Sequence, residues 1–288
     1  MLFRSGIKLK AGLVFLSDSR TNAGLDHVST FSKMSVFERA GDRVIVLLNS
    51  GNLATTQSVI SRLGKMHSQS QPGGGLMGVD SMYDAARLVG EELRAVIRMQ
   101  SGGGPDQSGV DFSAMFLVGG QIAGESPRLF LVYPQGNCIE TSADTPFFQI
   151  GESKYGKPII DRVVGTATAL DEALKCALVS FDSTMRSNLS VGLPIDLAMI
   201  RRDALSVSFR HRIDASDGGV AQARQSLMAL LRAHVPVSGA VMMLRVRRAR
   251  SRAELRALLP DVQARLQHVR QQGEMREQLL RVESLLVP

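Results

Sequence analysis

Ala11-Gly12-Leu13-Val14-Phe15-Leu16-Ser17-Asp18-Ser19-Arg20-Thr21-Asn22-Ala23-Gly24 holds four consecutive apolar side chains, Leu13 to Leu16, closed by Ser17 and Asp18. Just upstream, Ile7, Leu9 and Ala11 alternate with Gly6, Lys8 and Lys10, the period-two pattern of a strand. Gly12 punctuates the two runs, so the opening reads as a pair of strands. A second pair follows. Met34 to Glu38 leads through the turn Ala40-Gly41-Asp42 into Arg43-Val44-Ile45-Val46-Leu47-Leu48. That last run is apolar on both faces, as in a strand covered by a layer on each side. Asn49-Ser50-Gly51-Asn52 breaks it, and a helix is predicted from about Leu53 to Leu63.

Further along, Ser68 to Gly78 is rich in Gly, Ser and Gln and reads as a loop. Met82, Ala85, Ala86, Val89, Leu93 and Val96 recur at helical spacing, which predicts a helix over 81–99. A Gly-rich break over 101–109 ends it. Strands are predicted for 113–119, 128–133 and a short segment near Cys138 to Glu140, with Pro134-Gln135-Gly136-Asn137 as the turn between the last two. Helical signals return over 156–164 and 170–185. Asp171 and Glu172 sit in the first turn of the second of these, where the helix dipole favours acids. A last strand spans 193–200. Strands and helices come in blocks, which argues against β-α-β alternation and for antiparallel sheets covered by helices. The predicted class is α+β, a four-layer αββα sandwich.

The totals exclude several classes. No apolar run approaches the ~18 residues of a membrane span, so no membrane partner is expected. Lys8 and Lys10 interrupt the start, which does not read as a signal peptide, and a cytoplasmic location is expected. Cys138 and Cys176 are too few for a metal site and read as buried small hydrophobes. There is no GxGxxG after a strand, no P-loop, no CxxC pair and no HExxH, and the five histidines are isolated. The net charge of +7 belongs to one end. Residues 218–288 carry twelve Arg, no Lys and five acids, while the rest of the chain balances. The basic pI therefore does not mark the whole protein as a nucleic-acid binder. No aromatic residue follows Phe209 to stack on bases, and the Arg-rich segment reads as solvated helical faces.

Five stretches together resemble the proteasome family, and most closely its bacterial Anbu (ancestral beta-subunit) branch. They are 11–24, Phe31-Ser32-Lys33-Met34, 49–56, 148–160 and 182–192, within a resembling region of roughly 6–214. The resemblance implies the Ntn-hydrolase, proteasome beta-subunit-like version of the sandwich. It also implies a peptidase whose N-terminal threonine attacks the peptide carbonyl while its own α-amino group takes the proton. On this resemblance Asp18 and Lys33 match the family's aspartate and lysine. The lysine lowers the amine's pKa by like-charge proximity. The backbone N–H groups of Ser50 and Gly51 match the oxyanion hole. Ser190 matches a serine supporting the nucleophile's amine, and Ser187 stands where the broader family usually has an aspartate. Glu152 and Ser153 lie near another supporting serine. The implied substrate is a peptide or protein, the implied assembly a homo-oligomeric ring or spiral, and the mechanism calls for no cofactor.

One position departs from the pattern. The family has threonine where this chain has Leu2, which carries no hydroxyl. Ser5 cannot replace it, because three residues along a strand is about 10 Å and an odd step turns the side chain to the other face. The chain therefore reads as an inactive peptidase subunit, or as a non-catalytic scaffold of a multimeric assembly. The organisation expected is an Ntn-hydrolase domain over 1–217 and an Arg-rich helical segment over 218–288. There, 227–234 and 253–286 read as helices interrupted or restarted at Pro260, and Val241 to Val246 as a buried strand or a helix start.

Overall fold

The computed structural model describes residues 3–22, 28–69, 74–102, 110–188, 190–234, 240–249, 251–266, 278–280 and 282–283. Strands β1 (Phe3–Leu9) and β2 (Gly12–Asp18) form a hairpin in register Arg4↔Ser17 to Leu9↔Gly12. Gly12 turns between them at φ +140°, where an added Cβ would lie 2.0 Å from the Ile200 carbonyl oxygen, so only glycine fits. A small two-stranded ribbon, β3 (Arg20–Asn22) and β4 (Val28–Thr30), follows. β5 (Met34–Arg39) and β6 (Arg43–Gly51) pair across the expected turn at Gly41. Helix α1 (Leu53–Gln69), a 3-10 turn at Gly75–Met77 and helix α2 (Met82–Gln100) come next. Ser81 caps α2, its hydroxyl accepting from the Asp84 N–H.

The chain returns through β7 (Ala114–Ile122), β8 (Arg128–Val132), β9 (Cys138–Glu140) and β10 (Phe147–Gly151). Helices α3 (Lys157–Val163) and α4 (Leu170–Ser187) precede β11 (Ile195–Arg201) and β12 (Phe209–Ile213). One sheet runs β10-β1-β2-β11-β12 and the other β5-β6-β7-β8-β9, both antiparallel among the described pairs. The first 212 residues form one compact unit.

Two cores, together with α4 packed on the outer face of the first sheet, make this unit a four-layer sandwich, as the sequence predicts. Leu13, Phe15, Val44, Val46, Leu48, Leu117, Leu129 and Ala198 fill the space between the sheets. Ile45, Leu47, Phe116, Val118 and Phe130 point the other way, onto Val59 and Leu63 of α1 and Val89 and Leu93 of α2. The doubly apolar run of β6 thus feeds both cores, alternate residues to each. On the outer face of the first sheet, Phe3 packs edge-on against Phe181 of α4, ring centroids 5.4 Å apart at 86°. The sheets meet closely over Gly6 and Gly119. A Cβ on Gly119 would lie 2.7 Å from the Phe15 ring, and one on Gly6 3.1 Å from Leu129.

The structure adds elements that the sequence pattern does not predict. β10 is short and carries two adjacent phenylalanines, so it shows no alternation. β12 is exposed along nearly its whole length and gives no apolar signal. α1 extends to Gln69 through a polar final turn. Leu76 and Met77, read as loop, are buried in the α1–α2 core. Most of the loop read over 101–109 lies outside the described residues. Cys176 is buried as expected, whereas Cys138 is only partly so.

A second compact unit spans Ile213–Pro288. It holds α5 (Ala215–His234), α6 (Ala240–Arg248) and α7 (Arg252–Leu266). Leu227, Leu231, Met242, Val246, Leu255 and Val262 form its own core. Residues 241–246 are helical. α7 runs through Pro260 without a restart. Leu258, Leu259 and Val262, on either side of the proline, are buried in the same cluster, which offsets the one backbone hydrogen bond lost. Among the described residues no helix is long and apolar enough to cross a membrane, and no cluster of His, Cys, Asp and Glu is arranged to hold a metal ion.

Gly119→Val tests the closeness of the sheets. Its methyl groups would enter the space of the Phe15 ring, and overpacking of this kind costs about 1–3 kcal/mol. Urea denaturation should show a lower midpoint with an unchanged slope.

Candidate functional site

The edge of the first sheet where β2 ends gathers the charged groups. Asp18 is fully buried. The Phe3 N–H, at the start of β1, donates to its Oδ1 at 3.1 Å. Lys33 enters from the segment just before β5, its Nζ 3.5 Å from Asp18 Oδ2 and its side chain 2% exposed. Lys33 Nζ also donates to the Arg20 carbonyl oxygen. Asn49, near the end of β6, fixes the backbone there: its N–H and its Nδ2 both donate to the Lys33 carbonyl oxygen, at 3.1 and 3.2 Å. The resemblance-based pair is therefore brought together.

A third charge joins them that the sequence reading does not place in the site. Arg4 shares its strand face with Gly6, which looks onto Leu129 and Leu117 of the facing sheet. It is the largest fully buried side chain among the described residues. Its Nη1 stands 3.8 Å from Asp18 Oδ1 and donates to Ser50 Oγ at 3.4 Å. Its Nε has no partner. Two cations thus face one carboxylate in a space nearly sealed from water.

The electrostatics follow from that imbalance. Burial, and then the neighbouring Arg4 charge, bring the Lys33 ammonium down from an ordinary 10.5 to about 7, against the pull of Asp18. Burial lowers the Arg4 guanidinium to about 10, which leaves it charged at neutral pH. Burial pushes the Asp18 carboxyl up, while Arg4, Lys33 and the Phe3 N–H work in the opposite direction. Lys33 is thus the group that can exchange a proton near neutrality.

Of the remaining candidates, Ser50 reaches the cluster through Arg4. Gly51 lies beside it at φ +109°, where an added Cβ would lie 2.3 Å from the Ser113 carbonyl oxygen. Glycine is obligatory at this strand end, a requirement that only the backbone angle reveals. Ser190 belongs to another group: its N–H and hydroxyl donate to Asn188 Oδ1 at 3.0 and 2.5 Å. Asn188 Nδ2 in turn donates to Glu152 Oε2 at 3.0 Å. The Glu152 carboxylate, 6% exposed, also accepts the Lys154 N–H and is held below its usual range by that bond. Ser187 ends α4 and is exposed. Leu2 lies outside the described residues. Ser5 faces the opposite side of β1 from Arg4, with Phe3, and its buried Oγ has no partner.

A cavity of about 320 Å³ is lined by Ser32, Ser35, Asn49, Leu53, Thr56 and Gln57 among others. Ser32 Oγ donates to Asp196 Oδ2 at 3.1 Å, and Arg212 Nη1 balances Asp196 at 3.4 Å.

A pair of antiparallel sheets between helical layers, with a buried carboxylate and lysine where the first two strands meet the second sheet, defines a proteasome-like beta-subunit. No family model matches the sequence, and no curated protein sequence does. Solved structures do. The Anbu (ancestral beta-subunit) of Yersinia bercovieri is 52% identical, with 74% of this chain and 87% of that one covered and a TM-score of 0.68. Anbu of Pseudomonas aeruginosa, solved as a helical assembly of the Anbu complex, is 48% identical over 80% of this chain and 94% of that one, TM-score 0.71. Anbu of a Hyphomicrobium species is 47% identical over 74% and 88%, TM-score 0.68. The chain belongs to the Anbu family.

Two measurements check the charge cluster. Asp18→Asn leaves two buried cations without their anion and should destabilise the protein by about 3–5 kcal/mol in chemical denaturation. The folded form holds Lys33 at about 7 and the unfolded form at 10.5, so between these values the unfolded chain binds more protons. Stability should therefore rise with pH through that window, by up to about 1.4 kcal/mol per pH unit. Lys33→Met should flatten the rise.

Proposed function

We propose that this chain is a proteasome-type peptidase subunit whose site retains the frame for N-terminal threonine chemistry but lacks the nucleophile. The observation that carries the reading is the buried Asp18–Lys33 pair, with Lys33 brought to about 7. A lysine so placed raises the local positive potential, which keeps a nearby terminal amine neutral and able to accept the nucleophile's proton. Asp18 holds that lysine. The end of β6 at Ser50 and Gly51 supplies the oxyanion-hole N–H groups, and the Ser190–Asn188–Glu152 group supports the amine, with Ser187 next to it in sequence. The cavity at Ser32, Asn49 and Thr56 receives a side chain of a peptide or protein substrate. Leu2 offers no hydroxyl, and the chain as written does not cleave.

A second reading is favoured by Leu2 and by the fully buried Arg4: a non-catalytic subunit that contributes shape to an assembly. The relative from Pseudomonas aeruginosa forms a helical assembly, which supports a homo-oligomeric ring or spiral for this chain under either reading. We place the subunit in the cytoplasm. Residues 1–217 act as the Ntn-hydrolase domain, and 218–288 form a separate helical appendage.

The test is a paired peptidase assay with short fluorogenic peptides on the chain as written and on Leu2→Thr, with the mature N-terminus checked by mass. Loss of Met1 and gain of cleavage in the variant alone is the expected result. If neither form cleaves, the further variant Leu2→Thr/Arg4→Ala does not either, and a covalent threonine-protease inhibitor labels neither variant, the scaffold reading replaces this one.

A further inference from the structure

Arg4 is out of keeping with its surroundings. It lies two residues from Gly6 on the inward face of β1, where the facing sheet is apolar. A long, always-charged side chain in that layer needs a full set of partners. It has part of one: Nη1 meets Asp18 and Ser50, while Nε is buried and unsatisfied. Asp18 is left divided, Oδ1 toward Arg4 and Oδ2 toward Lys33. The guanidinium also bridges the two halves of the site, the carboxylate on β2 and the strand end that carries Ser50 and Gly51.

We propose that Arg4 is an internal plug: its guanidinium occupies the interior of the Asp18–Lys33 site, reaches to Ser50, and closes the site with the chain's own cation. The proposal rests on the proposed function and adds a second block to the one at Leu2. Restoring a hydroxyl at position 2 supplies a nucleophile, but Asp18 remains shared and the space before Ser50 remains filled. Arg4 acts through Asp18 and Lys33 and by occupying volume, so it is an occluding residue, not a catalytic one.

The charge balance makes the idea testable without cleavage. Among the described residues, the charged groups facing Lys33 are Asp18 from β2 and Arg4 from β1. Asp196 of β11, adjacent through Ser32, is already balanced by Arg212 of β12. Removing the Arg4 charge leaves Asp18 to Lys33 alone, a one-to-one pair that favours the protonated amine. A purely structural arginine would instead destabilise the fold on removal and give no gain in cleavage.

Two arms decide it. In the first, Arg4→Met, which keeps the volume of the aliphatic stem, is compared with the parent by NMR titration of lysine side-chain carbons, with Lys33→Arg to assign the signal. The Lys33 midpoint is expected to move from near pH 7 to roughly pH 8 or above, with urea stability unchanged or improved. An unmoved midpoint overturns the proposal, as does a loss of folding in both Arg4→Met and Arg4→Leu. In the second arm, Leu2→Thr is compared with Leu2→Thr/Arg4→Ala on short fluorogenic peptides. The double variant is expected to gain at least about tenfold in kcat/KM. Equal, measurable rates in the two overturn the plug and leave the peptidase reading standing. If neither variant cleaves, the peptidase reading fails, and the Lys33 titration alone still decides whether Arg4 governs the cluster.

Discussion

One buried carboxylate, shared between two cations, holds together the end of the molecule where function is expected. Asp18 closes β2, accepts the first described N–H of β1 and draws in Lys33 from the segment that leads to β5. Two further pieces of chain, β1 and the segment before β5, converge on its two oxygens. A charge buried this deeply is tolerated only when paired and hydrogen-bonded. The rest of the architecture supplies that condition. The two sheets exclude water, the glycines let them approach, and Asn49 fixes the backbone that delivers the lysine.

What could be read in advance follows from how each residue carries its signal. β2, β5, β6 and β7 are apolar enough to declare themselves, and β6 even declares the layer on each of its faces. β10 and β12 do not. One is five residues long with no alternation, and the other has almost no buried surface to impose a pattern. Asp18 and Lys33 are ordinary charged residues in isolation. Only the company of neighbouring motifs marked them, and their burial is a tertiary fact. Arg4 stood in plain sight, but a single charged residue in a strand usually belongs to a solvated face, and its inward direction depends on the register with Ser17. Asn49 and the Asn188–Glu152 contact depend on backbone carbonyls and side chains brought from distant segments, which no local pattern records.

The C-terminal helical unit was legible as composition and only partly as structure. Its shift from Lys to Arg stands out, and its leucine spacing predicts helices. Residues 241–246 were ambiguous because a short apolar run suits a strand or a helix equally. Pro260 misled because an isolated helix would break there, whereas burial of the leucines around it keeps α7 whole.

The exposed strand β12 has a consequence for how copies of this chain can meet. It ends its sheet, the arrangement that invites one sheet to continue into the next. Its sequence is Phe209-Arg210-His211-Arg212-Ile213. Two such strands laid side by side in opposite directions about His211 would set Arg210 of each against Arg212 of the other. That like-charge contact, softened where Arg212 pairs with Asp196, disfavours this register of lateral growth of the sheet.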